Sequence, residues 1–179
     1  VAQLGTFSEY MLVNEASVIK VEPDLPLDAV ALVSCGVATG VGSVQSRAGA
    51  KSGDTVVVVG IGGIGANALQ GAKMSGAANI VAIDTNPDKR EVAEEFGATH
   101  FFTSFDDALL SVMEMTRGIM ADSCILSPGA TTGAMLEPGL SIISKDGILV
   151  ETGLASINRI DSKRVVTVSG DVAAGFNGN

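Results

Sequence analysis

The sequence predicts an α/β fold built on a doubly wound parallel sheet, and three observations carry that expectation. Short apolar runs at Val56–Val59, Ile80–Ile83 and Ile148–Val150 read as strands buried on both faces. Capped segments with helical spacing separate them. A glycine-rich turn, Gly60-Ile61-Gly62-Gly63-Ile64-Gly65, follows the first run with no polar loop between. Strand and helix that alternate in this way imply parallel strands, right-handed crossovers and helices on both faces of the sheet.

Residues 1–34 have a different texture. Phe7–Val13 and Ser17–Val21 read as short strands, Pro23 and Pro26 flank an acidic turn, and Leu27–Val33 reads as a short helix. Two strands without a crossover helix do not belong to a doubly wound sheet, so this part is expected to be the tail of a separate β-rich domain. From Cys35 a glycine-interrupted helix is expected to run to about Ala48, and Gly49 and Gly53 bracket the turn into the first sheet strand. Residues 35–179 are then the α/β domain. Ile64–Met74 reads as a helix ended by Gly76, and Ile80–Asp84 as the second strand. Asn86 is a good N-cap, with Pro87 at the first position of a helix to about Phe96. Phe101 and Phe102 mark a short third strand, and Ser104 caps a helix with Leu109, Val112, Met113 and Thr116 on one face. Asp122–Leu126 is the expected fourth strand, and 131–144 a helix interrupted by Pro138. Ile148–Thr152 is the fifth strand, and Arg164–Ser169 a sixth.

Composition sets the limits. The chain has 179 residues, 46% hydrophobic and 17% charged, which predicts a large buried core and no disorder. A net charge of −9 argues against nucleic acid or an anionic membrane as the main partner. The two cysteines, Cys35 and Cys124, are too few for a disulfide framework, so a reducing, cytoplasmic setting is expected. No continuous run reaches the roughly 20 apolar residues that a bilayer requires. The N-terminus has neither an initiator Met nor a signal-peptide pattern, and reads as the start of a fragment.

The stretch Thr55–Asp84 carries the chemistry. It presents strand, glycine turn, helix, strand and acid in the order of the dinucleotide fingerprint. Gly60 permits the tight turn, Gly62 lets the backbone approach a pyrophosphate, and Gly65 lets the helix pack closely on the strand. The free N–H groups and positive dipole end of the helix starting near Ile64 favour the phosphates, with Gly63 in the same turn. Asp84 can accept hydrogen bonds from both adenosine ribose hydroxyls and repel a 2′-phosphate, which predicts NAD over NADP.

Five stretches, Gly-Thr-Phe-Ser-Glu-Tyr (5–10), Ser-Cys-Gly-Val-Ala-Thr-Gly (34–40), Val-Gly-Ile-Gly-Gly-Ile-Gly (59–65), Ile-Asp-Thr-Asn-Pro-Asp-Lys (83–89) and Phe-Gly-Ala-Thr-His (96–100), together resemble the zinc-containing alcohol dehydrogenases of the medium-chain dehydrogenase/reductase superfamily. The resemblance implies a Rossmann domain preceded by the last strands of a GroES-like catalytic domain. It implies hydride transfer between a small-molecule alcohol and NAD, giving an aldehyde or ketone. By resemblance Cys35 is one protein ligand of a catalytic zinc, the other two lying upstream. Thr39 matches the Thr beside the nicotinamide, and Lys89 a Lys reaching the adenosine ribose. Thr152, Gly153 and Leu154 match the segment whose backbone contacts the carboxamide, while Ser127 and Gly129 are weaker matches. A homo-oligomer, dimer or tetramer, formed by edge-to-edge joining of the last strands is implied as well.

Ser-Pro-Gly after the fourth strand and Glu-Thr-Gly after the fifth depart from the commoner apolar sequences there, and the stretch after residue 155 matches only loosely. Cys124, in mid-strand, reads as core, and the sole histidine, His100, as structural or surface. Two alternatives stand beside the main reading: a zinc-free quinone or enoyl reductase relative, and a non-catalytic NAD(H)-binding module.

Overall fold

A computed structural model describes residues 8–128, 133–152 and 165–167. Its centre is a six-stranded parallel sheet in the order β3-β2-β1-β4-β5-β6. The strands are β1 (Thr55–Val59), β2 (Asn79–Ile83), β3 (His100–Phe102), β4 (Ala121–Leu126), β5 (Ile143–Glu151) and β6 (Val165–Thr167). That order is the dinucleotide-binding variant of the doubly wound fold, with its topological switch point between β1 and β4.

The valine run of β1 is central because it must be buried on both faces. Val56 and Val58 face one apolar cluster, with Val44, Ile61, Leu69, Ile80 and Ile125. Val57 faces the other, with Val81, Val112, Cys124, Leu126 and Leu149. Each inward β-branched side chain contributes roughly 1.5–3 kcal/mol by leaving water.

Helices cover both faces. The helix Gly63–Met74 follows β1, Lys89–Glu95 follows β2, Phe105–Met115 follows β3 and Gly133–Ser141 follows β4. Ser104 caps the third of these, its hydroxyl accepting from the Asp107 N–H at 3.5 Å. Asn86 accepts from the Asp88 N–H at 3.0 Å, so Pro87 and Asp88 form a turn and the regular helix begins at Lys89, two residues later than the cap pattern predicts.

Three expectations are corrected. Phe7–Val13 and Ser17–Val21 are not strands over their described residues. A single 3-10 turn, Glu15–Ser17, capped by Asn14, lies between them, and Tyr10, Leu12 and Ile19 are at least 90% exposed. A strand exists only by pairing, and no neighbour for these segments lies among the described residues. Secondly, Leu27–Val33 and Cys35–Ala48 are not two helices. They form one, Leu27–Ala48, in which α-helical turns alternate with π-helical turns at Val33–Val37 and Ser43–Ala48. It ends at Gly49, whose φ of 66° is left-handed. By length and composition this helix could cross a membrane, although its apolar residues are interrupted and no run of the needed length was expected. Gly40, Ser43, Val44 and Ala48 are instead buried on the domain's side of the helix.

Thirdly, β5 starts at Ile143, inside the expected helix. Ala121 pairs with Ile143 before a register shift, and pairing resumes at Ser123 and Ile148. The sixth strand is present as β6, Val165–Thr167, and the other residues of the expected Arg164–Ser169 lie outside the described ones. Gly129, Gly153 and Leu154 also lie outside them.

Candidate functional site

The residues that follow β2, β1, β4 and β5 add one further rung to the sheet at its carboxyl edge. Asp84 N–H donates to Phe102 O at 3.1 Å, Gly60 to Ile83 O at 2.8 Å, Ser127 to Val59 O at 2.8 Å and Thr152 to Leu126 O at 2.9 Å. Asp84, Gly60, Ser127 and Thr152 therefore stand side by side along the edge where open parallel sheets take their ligands.

Each glycine of the turn has its own geometry. Gly60 has φ 87°, and a Cβ there would lie 2.9 Å from Pro128 N. A side chain is excluded twice over. A Cβ on Gly65 would overlap Gly60 O and come within 2.7 Å of Ser127 Oγ. Gly65 thus lets the helix start directly against the turn. A Cβ on Gly62 or Gly63 would meet nothing within 4 Å, and both residues are exposed. These two open outward, toward the side from which a ligand would approach.

The helix Gly63–Met74 takes Gly62 as its N-cap without a capping side chain. Its first helical acceptor is Gly62 O, which takes the Ala66 N–H at 2.9 Å. The N–H groups before Ala66 have no acceptor in the preceding turn, which is the condition for binding an anion at a helix start.

Asp84 is half-buried and already hydrogen-bonded. Its Oδ2 accepts from Ile61 N–H at 2.7 Å and its Oδ1 from Asn86 N–H at 2.9 Å. Each carboxylate oxygen retains acceptor capacity for a hydroxyl. Lys89 opens its helix, half-buried, and the one ion pair among the described residues is Arg90–Glu94 at 3.8 Å. The Lys89 ammonium thus has no carboxylate beside it.

Thr152 is buried, and its hydroxyl donates to Leu126 O at 3.1 Å, the same oxygen that takes its N–H. Both of its donors hold β5 to β4, leaving its carbonyl for any outward contact. Thr39 is half-buried, and no hydrogen bond ties its hydroxyl back to the preceding helical turn.

Cys35 is a free thiol, exposed in the π-helical turn Val33–Val37. A thiolate suits zinc. Among the described residues no group of three His, Cys, Asp or Glu side chains could hold a metal. The chain therefore offers one donor of fitting chemistry, not a whole site. Cys124 is fully buried, and burial pushes its thiol pKa well up, which keeps it protonated and inert. His100 is exposed at the start of β3, with Nδ1 2.9 Å from Thr99 Oγ1, at the opposite end of the strand from the glycine turn.

One feature escaped the motif reading. Gly40 lets the helix carrying Cys35 and Thr39 lie directly on the helix Gly63–Met74. A Cβ on Gly40 would lie 2.6 Å from Asn67 Cβ and 2.8 Å from Ala68 N. A glycine inside each helix, Gly40 and Gly71, was the available signal. Ser127, only a weaker match by resemblance, has a definite place: its hydroxyl donates to Gly60 O at 2.7 Å and lies 3.1 Å from Val59 O, joining β4 to the glycine turn.

Fold and edge together define a doubly wound domain of the dinucleotide-binding class. The profile of the family described as zinc-binding dehydrogenase matches residues 63–175, and the chain belongs to that family. It is 46% identical over 173 residues to the NDMA-dependent alcohol dehydrogenase of Amycolatopsis methanolica, covering 97% of this chain and 46% of that protein. Alcohol dehydrogenase B of Mycobacterium tuberculosis is 42% identical over 154 residues, 86% of this chain and 41% of that protein. Among solved structures, benzyl alcohol dehydrogenase from Acinetobacter calcoaceticus superposes with a TM-score of 0.81 at 26% identity, over 93% of this chain and 48% of that one. The chain thus spans about half the length of the curated relatives it matches.

Proposed function

We propose that this chain is the coenzyme-binding part of an NAD-linked, zinc-assisted alcohol dehydrogenase that interconverts a small alcohol and its aldehyde or ketone. One observation carries the reading: the turn Gly60–Gly65 opens Gly62 and Gly63 outward at the start of a helix, with Asp84 hydrogen-bonded to that same turn. Family membership and the alcohol dehydrogenase names of its relatives support it.

In this account the N–H groups of Gly62, Gly63, Ile64 and Gly65 take the coenzyme's diphosphate. Asp84 accepts the adenosine ribose hydroxyls and repels a 2′-phosphate, and Lys89 reaches toward the same ribose. Thr39 lies beside the nicotinamide, and the backbone at Thr152, Gly153 and Leu154 holds its carboxamide. Cys35 would donate one thiolate to zinc, which when bound would supply Lewis acidity to the alcohol oxygen. The other ligands would come from the part of the parent protein that this chain does not span. The exposed Tyr10, Leu12, Ile19 and Leu27 fit a surface covered by that part, as the tail strands of a GroES-like domain would be. Association through the edge strand β6 into a homo-oligomer, and residence in a reducing cytoplasm, belong to the same proposal. Sedimentation of the parent protein as a monomer would remove the first.

The test is NADH formation from a panel of alcohols by the parent protein, with metal analysis alongside. The proposal expects alcohol-dependent reduction of NAD, bound zinc, and loss of both zinc and activity in Cys35→Ser. NADPH-dependent reduction of a quinone or enoyl substrate without zinc would replace it with the reductase reading. Coenzyme binding with no turnover of any alcohol would leave only a binding module.

A further inference from the structure

The peptide unit between Gly60 and Ile61 is held from both sides. Its carbonyl, Gly60 O, accepts from Ser127 Oγ at 2.7 Å, and its N–H, on Ile61, donates to Asp84 Oδ2 at 2.7 Å. Ser127 follows β4 and Asp84 follows β2, so neighbours on opposite sides of β1 grip the first peptide of the turn. The Ile61 side chain is 1% exposed and anchored in the core, which holds the same residue from a third direction. Asp84 is itself oriented, because Asn86 N–H on Oδ1 closes an Asx turn. Gly65 has no Cβ to displace Gly60 O or Ser127 Oγ.

We propose that Asp84 is a positioning residue for the glycine turn as well as a ribose acceptor, so that a single carboxylate couples adenosine ribose binding to diphosphate binding. This rests on the dinucleotide reading given above. The direction of the Gly60–Ile61 peptide sets where the Gly62 and Gly63 N–H groups point. Loss of the Asp84 acceptor leaves that peptide held by Ser127 and the Ile61 side chain alone, and the glycines at 60 and 62, on either side of Ile61, let the turn shift. A substitution of Asp84 made only to admit a 2′-phosphate would therefore also loosen the diphosphate cradle.

The experiment separates the two roles with ADP and 2′,3′-dideoxy-ADP, which keeps the diphosphate and adenine but has no ribose hydroxyls. Both are titrated calorimetrically into the parent protein, as wild type, Asp84→Ala and Asp84→Asn. Amide hydrogen exchange of the peptide spanning the turn is followed without ligand. A ribose-only role predicts that Asp84→Ala leaves dideoxy-ADP affinity unchanged, or raises it by removing a negative charge near the phosphates. The coupling predicts the opposite sign: dideoxy-ADP affinity falls about ten-fold in Asp84→Ala, on the scale of one charge-assisted hydrogen bond. Turn exchange speeds up in the ligand-free protein. Asp84→Asn, which keeps one acceptor oxygen, falls between the two. Unchanged or improved dideoxy-ADP affinity in Asp84→Ala overturns the proposal, whatever the exchange shows. Wild-type protein that binds neither nucleotide overturns the dinucleotide reading, and this proposal with it.

Discussion

Gly40 and Gly42 sit two residues apart in one helix and should respond to alanine with opposite signs. A Cβ on Gly40 would stand 2.6 Å from Asn67 Cβ and 2.8 Å from Ala68 N, and closer still to Ile64 O. Carbon atoms rest at about 3.5–4 Å, so the helix bearing Cys35 and Thr39 must retreat from its neighbour by roughly 1 Å. None of these atoms is the end of a flexible side chain, so no rotamer change relieves the clash. Overpacking of this kind costs about 1–3 kcal/mol, against about 1 kcal/mol gained from replacing a helical glycine with alanine. The net expectation for Gly40→Ala is a loss of up to about 2 kcal/mol. At Gly42 the backbone is right-handed helical, with φ −65°, and a Cβ meets nothing within 4 Å. Gly42→Ala should therefore be neutral or stabilising by up to about 1 kcal/mol. Urea unfolding of the two variants of the parent protein reads the difference. If Gly40→Ala is as stable as Gly42→Ala, the close approach of the two helices is wrong. A displacement of that size beside the reacting centre should also lower kcat in Gly40→Ala, by as much as about a hundred-fold.

Other expectations are simpler. Ser123 Oγ is buried in β4 without a hydrogen-bond partner, so Ser123→Ala should be neutral or stabilising by about 1 kcal/mol in the same unfolding assay. Arg117 is exposed with φ 53°, and Arg117→Gly should raise stability by up to about 1 kcal/mol, read as a higher melting temperature. Asp122 Oδ2 accepts from Thr55 N–H at 2.8 Å at the start of β1, so Asp122→Ala should lose about 1–2 kcal/mol and Asp122→Asn less. For the thiols, peptide mapping after brief alkylation of the native parent protein should find Cys124 unmodified, because burial raises its pKa and thiolate is scarce at neutral pH. Cys35 should be protected while zinc is bound and alkylated once a chelator removes the metal.

Much of this was legible in the sequence, for local reasons. Val56–Val59 and Ile80–Ile83 announce strands because β-branched runs suit a sheet covered on both faces, and the glycine turn announces its own geometry. What was not legible depends on partners far away in the chain. Ser17–Val21 has strand composition, yet finds no strand beside it among the described residues. Ile143–Asp146 joins β5 because Ala121 reaches back to it, which no reading of residues 143–146 alone could reveal. The site divides in the same way. Asp84 was evident from its place after β2, whereas its bond to Ile61 N–H and the grip of Ser127 on Gly60 O appear only when β2, β1 and β4 lie side by side. Thr152 could be placed at the edge, but not the commitment of its hydroxyl to Leu126 O.

The central claim is that the outward face of the turn holds a diphosphate, and Gly62 tests it most directly. A Cβ at Gly62 meets no protein atom within 4 Å, and its φ of −89° suits an L side chain, so Gly62→Ala should fold with wild-type stability. The methyl would instead occupy the space a phosphate needs. NADH titration of the parent protein should give Gly62→Ala an unchanged melting temperature in the absence of ligand and an affinity at least about ten-fold weaker, in keeping with the close approach that this glycine permits. Wild-type affinity for NADH in Gly62→Ala would contradict the account.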